Sequence, residues 1–229
     1  MAFHPIIDIK QRAVWGYEAL VRGEDGESAD VVLGQVNDGN QYIFDQACRI
    51  KAIEMAGCLF PRDTDMRLSI NLMPNAVYEP AACIAVSLEA ARHVGFSSHR
   101  IMFELTETER ISDPSRVSRI LAEYKHHGFI TAIDDFGAGH AGLSLLANFQ
   151  PDIIKIDMEL VRGLPASRAR QAIVAGVMGM ARELGLTVIA EGVETHAELA
   201  ALLGLGIRLF QGYLFTKPAI AQLPPFRLP

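Results

Sequence analysis

Short apolar runs, each closed by a polar residue, recur along the chain. Val14 to Tyr17 ends at Glu18, Leu68 to Ile70 at Asn71, and Ile101 to Phe103 at Glu104. Ile130 to Ile133 ends at Asp134 and Asp135, Ile153 and Ile154 at Lys155, and Val188 to Ala190 at Glu191. Runs this short and this apolar read as strands buried on both faces. Between them the period lengthens. Val117, Ile120, Leu121 and Tyr124 share one helical face, with Asp113 and Pro114 as N-cap and first-turn proline and Gly128 as a stop. Ile173, Val177, Met180, Ala181 and Leu184 repeat that spacing before Gly185, and Thr195 with Glu198 predicts a capping box opening another helix.

The strand-like runs are Pro5 to Ile9, Val14 to Leu20, Met66 to Ile70, Ile101 to Leu105, Phe129 to Ile133, Asp152 to Ile156, Thr187 to Ala190 and Ile207 to Phe210. They number about eight, as a closed (β/α)8 barrel requires. An open doubly wound sheet is the rival. The barrel is favoured because the polar residues close strand after strand, whereas an open sheet gathers its ligand site at one switch point. The expected fold is thus α/β, of TIM-barrel type, in a single domain over residues 1–229. Gly23 to Asp30 reads as a surface loop, and the tail with Pro218, Pro224, Pro225 and Pro229 as the place where ordered structure ends.

Composition narrows the functional classes. A net charge of -6 argues against a broad electrostatic grip on polymeric nucleic acid or an anionic membrane. Cys48, Cys58 and Cys83 form no Cys-x-x-Cys pair, so neither a disulfide framework nor a thiolate zinc site is indicated, and a reducing cytoplasm fits. Cys48 and Cys58 read as helix core. The longest small-and-apolar stretch, Ala172 to Ala181, is about half of the roughly 20 residues a membrane helix needs. With no basic-then-apolar leader, a soluble, unexported chain is expected.

Carboxylates almost never enter a core unpaired, so acids converging at strand ends imply a compensating cation. Oxygen ligands without histidine or thiolate call for a hard ion, magnesium or manganese. The adjacent Asp134 and Asp135 could reach two ions, and two ions about 3.5 to 4 Å apart can flank a phosphodiester for in-line attack. Lys155 has two readings, a structural ion pair that neutralises excess acid and a group that positions water and phosphate. Asp135 to Gly139 is either a mobile turn carrying catalytic groups or an ordinary strand-to-helix turn. No phosphate-binding loop or dinucleotide fingerprint is present. The seven histidines are scattered, with His126 and His127 read as surface residues near a helix C-terminus. Ser69 and Ser144 lack a glycine-flanked elbow, and Met178 and Met180 suit packing or a subunit contact.

Seven short motifs in register carry a family resemblance. They are Tyr17-Glu18-Ala19-Leu20-Val21-Arg22, Ile70-Asn71-Leu72, Glu104-Leu105-Thr106-Glu107, Asp134-Asp135-Phe136-Gly137, Lys155-Ile156-Asp157, Ala190-Glu191-Gly192-Val193-Glu194 and Gln211-Gly212-Tyr213. From His4 to Pro218 the chain resembles the EAL-domain family of cyclic di-GMP phosphodiesterases. The resemblance implies a modified TIM barrel with one antiparallel strand near its start. It implies that Glu18, Asn71, Glu104 and Asp134 ligate one metal, while Asp135 and Glu191 serve a second ion or activate the attacking water. Lys155 would hold that water or the scissile phosphate. Gln211 would complete the polar floor, Leu20 and Arg22 would contact the dinucleotide, and Glu107 would brace the loop after Asp134. The implied reaction is hydrolysis of cyclic di-GMP to linear pGpG by in-line attack of a metal-activated water.

Three departures from the family pattern stand out. His4 replaces a glutamine that contacts substrate, Ala141 and Gly142 follow His140 in place of serine-rich residues, and the stretch after Arg22 is shorter. Ala138 to Leu143 and Phe149 to Asp152 resemble the branch fused to blue-light-sensing flavin domains. A sensor domain or protein outside this chain is therefore an implied partner, as is a second copy docked through helices beside the Asp134 loop. The chain reads as an excised output module or a stand-alone enzyme. Two other readings remain: a receptor that binds cyclic di-GMP without cleaving it, and an enolase-type lyase gathering acids around magnesium.

Overall fold

The computed structural model describes residues 1–76, 80–106, 114–139 and 142–228. Two strands open the chain, β1 (Ala2–Asp8) and β2 (Ala13–Leu20), joined as an antiparallel hairpin. After α1 (Ala29–Leu33) and α2 (Gln41–Leu59), strands and helices alternate: β3 (Arg67–Asn71), α3 (Pro80–Val94), β4 (Ile101–Thr106), α4 (Pro114–His126), β5 (Ile130–Phe136) and α5 (Gly142–Asn148). Next come β6 (Ile153–Ile156), α6 (Met158–Val161), α7 (Arg168–Leu184), β7 (Thr187–Ala190), α8 (His196–Gly204), β8 (Leu209–Phe210) and β9 (Ala219–Ile220). From β2 to β8 every neighbouring pair is parallel, and β1 closes the ring by pairing antiparallel with both β2 and β8. The result is the expected eight-strand barrel with one antiparallel member, to which β9 adds a short strand along the start of β1.

Its interior is layered. Ile6, Met102, Ala132, Ile153, Ile189 and Leu209 form one apolar cluster drawn from six strands. Side chains on a strand alternate faces, so the next inward position lies two residues further on. Those positions are Glu104, Asp134, Lys155, Glu191 and Gln211; on β1, which runs the other way, the equivalent is His4. The strand-end polar set is thus the layer above an apolar plug, at the C-terminal mouth where barrel enzymes work. Two larger apolar clusters fill the space between barrel and helices, one under α2, α3 and α4 and the other under α7 and α8.

The helix predicted from Val117, Ile120, Leu121 and Tyr124 buries all four, and the capping box at Thr195 and Glu198 forms with both its hydrogen bonds. Four expectations need correction. β1 starts three residues earlier than the apolar run suggested, because pairing with β2 carries Ala2 to His4 into the sheet. On α7 the buried stripe is Val174, Val177 and Ala181, whereas Ile173 is 50% exposed. Cys48 is half-buried and Cys58 exposed, since α2 turns other residues inward, among them Ala52, Ile53 and Ala56. The proline-rich tail is ordered through residue 228, with Pro229 outside the described residues: Phe226 and Leu228 pack on the second cluster, and the Arg227 amide donates to Phe215 O at 3.1 Å. No helix among the described residues is long and apolar enough to cross a membrane.

Candidate active site

Two adjacent residues on a strand normally face opposite ways. β5 departs from this at its end, where its register against β6 shifts between Ile133 and Phe136 and Asp135 takes a φ of +53°. A left-handed residue at such a bulge re-aims its side chain, and aspartate tolerates that conformation better than most residues. Carboxylate oxygens of Asp134, Asp135 and Glu191 therefore lie within 4.8 Å of one another. Glu18, Glu104 and Asp134 form a second such cluster, so Asp134 belongs to both.

Lys155 stands between the clusters. Its Nζ lies 2.7 Å from Glu191, 2.9 Å from Glu104, 2.9 Å from Asp134 and 3.8 Å from Glu18, and the side chain is 0% exposed. Glu18 is fixed from two sides, Oε1 accepting from Asn71 Nδ2 at 3.0 Å and Oε2 from Gln211 Nε2 at 2.9 Å. Gln211 is held in turn by the backbone, its N–H donating to Ala190 O and its carbonyl accepting from Val193. The next residue must be glycine, because a Cβ on Gly212 would meet Val193 O at 2.2 Å.

One lysine does not neutralise five carboxylates. Burial, with Glu18 and Asp134 close by, pushes the Glu104 carboxyl up to about 8 against the pull of Lys155. Burial with Asp134 and Asp157 lifts Asp135 to about 6, and burial with Asp134 raises Glu191 well above the carboxylate range. Glu18 goes the other way: burial alone would raise it, but Lys155, Gln211, His4 and Asn71 together hold it below its ordinary value. The same carboxylates hold the Lys155 ammonium well above its usual range despite burial. This surplus of acidic groups, all offering oxygen atoms, fits hard divalent cations, which would bind as those protons leave. Glu104 Oε1 is buried without a hydrogen bond of good geometry among the described residues, although the Ser69 hydroxyl is near enough to the carboxyl to favour its charged form, so the oxygen is open to a cation.

Beside the acids opens a cleft of about 270 Å³, lined by His4, Glu18, Leu20, Arg22, Asp135, Asp157, Met158, Arg162, Glu191, Gly192, Glu194, Gln211, Gly212, Tyr213 and Pro218. Leu20, Arg22 and Gln211, expected to contact substrate, all line it. Arg22 is folded back, with Nη1 2.6 Å from Val21 O. His4 is buried at the cleft wall, where its ring N–H donates to Thr216 O at 3.2 Å, and burial lowers its pKa. Met158, Arg162 and Tyr213 were missed as lining residues: Met158 and Arg162 reach the cleft from α6 and its C-cap, and nothing in their local spacing marks them. Glu107, His140 and Ala141 lie outside the described residues. His126 and His127 are exposed, as expected.

Known proteins resemble this chain in sequence and fold. The family model for the EAL domain matches residues 1–218. A standalone versatile EAL protein from Vibrio cholerae O395, solved in its c-di-GMP-bound form, superposes with a TM-score of 0.94 at 48% identity, over 99% of this chain and 94% of that one. BluF of Escherichia coli K12, a blue light- and temperature-regulated antirepressor, is 35% identical over 228 residues, 100% of this chain and 56% of BluF. The cyclic di-GMP phosphodiesterase NbdA of Pseudomonas aeruginosa is 28% identical over 236 residues, 98% of this chain and 29% of NbdA. The chain therefore spans only part of the curated relatives it matches, 56% of one and 29% of the other. With its strand-end acids gathered at the barrel mouth and the family model matched over residues 1–218, the chain belongs to the EAL domain family.

Proposed function

We propose that this chain is a metal-dependent phosphodiesterase that opens cyclic di-GMP to linear pGpG. The observation that carries the reading is the pair of carboxylate clusters sharing Asp134, beside a cleft that could take a nucleotide. Glu18, Asn71, Glu104 and Asp134 would hold one ion, magnesium or manganese, and Asp134, Asp135 and Glu191 a second. When bound, such ions supply Lewis acidity toward the phosphate and an acidified water at neutral pH.

The chain's own groups do the rest. Asp135 with Glu191 would take up the proton of the attacking water, whose oxygen would form the new P–O bond while the bond to the 3′ oxygen breaks, and that proton would pass on to the departing 3′ oxygen. Lys155 would orient the water or the phosphate. Leu20, Arg22 and Gln211 would seat the dinucleotide, with Glu107 bracing the loop that follows Asp134. The relatives' names and the c-di-GMP-bound neighbour support the ligand. A reducing cytoplasm suits three cysteines that form no disulfide. A homodimer is supported by the exposed Leu143 and Ile173, which line an apolar groove with Phe136 and Leu160 beside the Asp134 loop. The longer relatives leave room for a sensor domain or a separate sensor protein as partner.

Incubation with cyclic di-GMP and magnesium or manganese, followed by chromatography of the products, tests the reading. Appearance of pGpG that is abolished by chelation is expected; intact cyclic di-GMP overturns it. The second reading, a silent receptor, is favoured by one finding, the likeness to an antirepressor. Tight binding without cleavage in the presence of either metal would select it.

A further inference from the structure

Away from the cleft, α2 carries a charge pair that the proposed chemistry does not use. Arg49 is 0% exposed, and its Nη2 lies 2.5 Å from Asp45 Oδ2, one helical turn earlier. Nη1 donates to the Tyr124 hydroxyl of α4, and the guanidinium stacks 5.4 Å from the centroid of Phe103, the neighbour of Glu104. A buried ion pair is poor evidence of stabilisation, because desolvating two charges offsets most of their attraction and apolar replacements often serve as well. Gln46 Nε2 also donates to Oδ2, at 3.4 Å, but what an apolar residue could not supply lies on the other carboxylate oxygen: Oδ1 accepts the Met73 amide at 3.1 Å and ties α2 to the end of β3.

Met73 follows Asn71 by two residues, on the stretch leaving β3. The Leu72 amide donates to Glu104 O at 2.8 Å, so this exit is tied to β4 on one side and to α2 on the other. Asn71 sits immediately before both ties, with its side chain on Glu18. We infer that Asp45 is a positioning residue for Asn71, holding the β3 exit through the Met73 amide, and that Arg49 is buried to keep that carboxylate in place. The inference rests on the reading of Asn71 as a metal ligand.

The test compares two double variants that both lack the ion pair. Asp45→Asn/Arg49→Met keeps an oxygen that can accept the Met73 amide, whereas Asp45→Leu/Arg49→Met does not. Manganese binding to the metal-free protein is followed by electron paramagnetic resonance, alongside melting temperature and the separate kcat and KM for cyclic di-GMP. Loss of a supporting contact one shell out from a metal typically weakens binding roughly tenfold or more. That loss is expected for the leucine variant, with kcat falling more than KM, while the asparagine variant binds manganese like wild type. On an Asn71→Ala background the leucine variant should cause no further loss. Equal manganese affinities in the two doubles overturn the inference. So does weakened binding in a folded asparagine variant, a result that stands even if the leucine variant does not fold. If the wild type itself binds no manganese, the metal reading fails first and the inference falls with it; wild-type binding with indifferent variants overturns the inference alone.

Discussion

Asp135 turns left-handed directly after Asp134, and this one departure from strand geometry brings two adjacent carboxylates into one cluster with Glu191. The conformation costs a non-glycine residue about 1 to 2 kcal/mol, so its persistence marks a place where the surrounding structure holds the side chain against local preference.

Asp135→Asn should therefore leave the fold almost unchanged, because asparagine also tolerates φ near +53°. Turnover of cyclic di-GMP should fall by roughly 100-fold, at the upper end of losses seen when a metal site is disturbed. Asp135→Val should lose turnover equally and also melt lower, since a β-branched residue is strained in that region. Product chromatography with thermal melts separates the two effects, and unchanged turnover in Asp135→Asn would remove Asp135 from the proposed chemistry.

Glu18→Ala removes the acceptor shared by Asn71 and Gln211 as well as a proposed ligand. Manganese binding and hydrolysis should both collapse while the barrel survives, at a cost of about 1 to 3 kcal/mol for the partner groups left unsatisfied. Calorimetric titration with manganese checks the first outcome and circular dichroism the second. Hydrolysis at the parental rate would show the metal assignment to be wrong.

Much of the barrel was legible because buried parallel strands are short apolar runs and each ends on its site residue. The two-residue step from plug to polar layer, Ile153 to Lys155 or Met102 to Glu104, is written in the chain. What was not legible depended on tertiary placement. Ile173 and Val174 are both apolar and adjacent, and only the seating of α7 on the barrel decides which is buried. Asp45 and Arg49 have the spacing of an ordinary exposed helix pair, and nothing local reveals that the pair is enclosed. The ordered tail escaped notice because its prolines suggested an end, whereas Phe226 returns to the core.

Gly212→Ala should damage the cleft without touching an acid. The new methyl group would meet the Val193 carbonyl at 2.2 Å, and backbone cannot yield as a side-chain tip can. Overpacking of this kind costs about 1 to 3 kcal/mol. Gln211 would be displaced with it, so KM for cyclic di-GMP should rise while manganese binding to the remaining carboxylates persists. A lowered melting temperature with an unchanged KM would show that Gln211 has no part in seating the dinucleotide.

Lys155→Ala leaves Glu104, Asp134 and Glu191 without their common cation. Breaking a buried pair by removing one partner costs about 3 to 5 kcal/mol, so the metal-free variant should melt well below wild type. Manganese supplies the missing charge and should restore most of that loss, with metal and dinucleotide binding retained and turnover severely reduced. Melting in chelator and in manganese, together with calorimetry for the dinucleotide, distinguishes the roles. Loss of dinucleotide binding in the metal-loaded variant would confine Lys155 to a structural part.

The same surplus of acidic groups gives metal binding a pH dependence. The Glu104 carboxyl has an ordinary value of 4.5 and is pushed up to about 8 in the fold; Asp135 moves from 3.8 to about 6. Between those limits the folded, metal-free chain keeps protons that the unfolded chain has released. Its stability therefore falls as pH rises, for Asp135 between 3.8 and about 6 and for Glu104 between 4.5 and about 8. A divalent ion binds only the deprotonated ligands, so manganese affinity should rise with pH up to about 8 and binding should release protons. One displaced proton corresponds to about a tenfold gain in affinity per pH unit below the group's pKa. Calorimetric titrations between pH 6 and 8 in two buffers of different ionisation heat count those protons directly. Rising affinity with proton release is expected; a flat profile without release would mean that the carboxylates are already ionised before the metal arrives, with Lys155 alone compensating them.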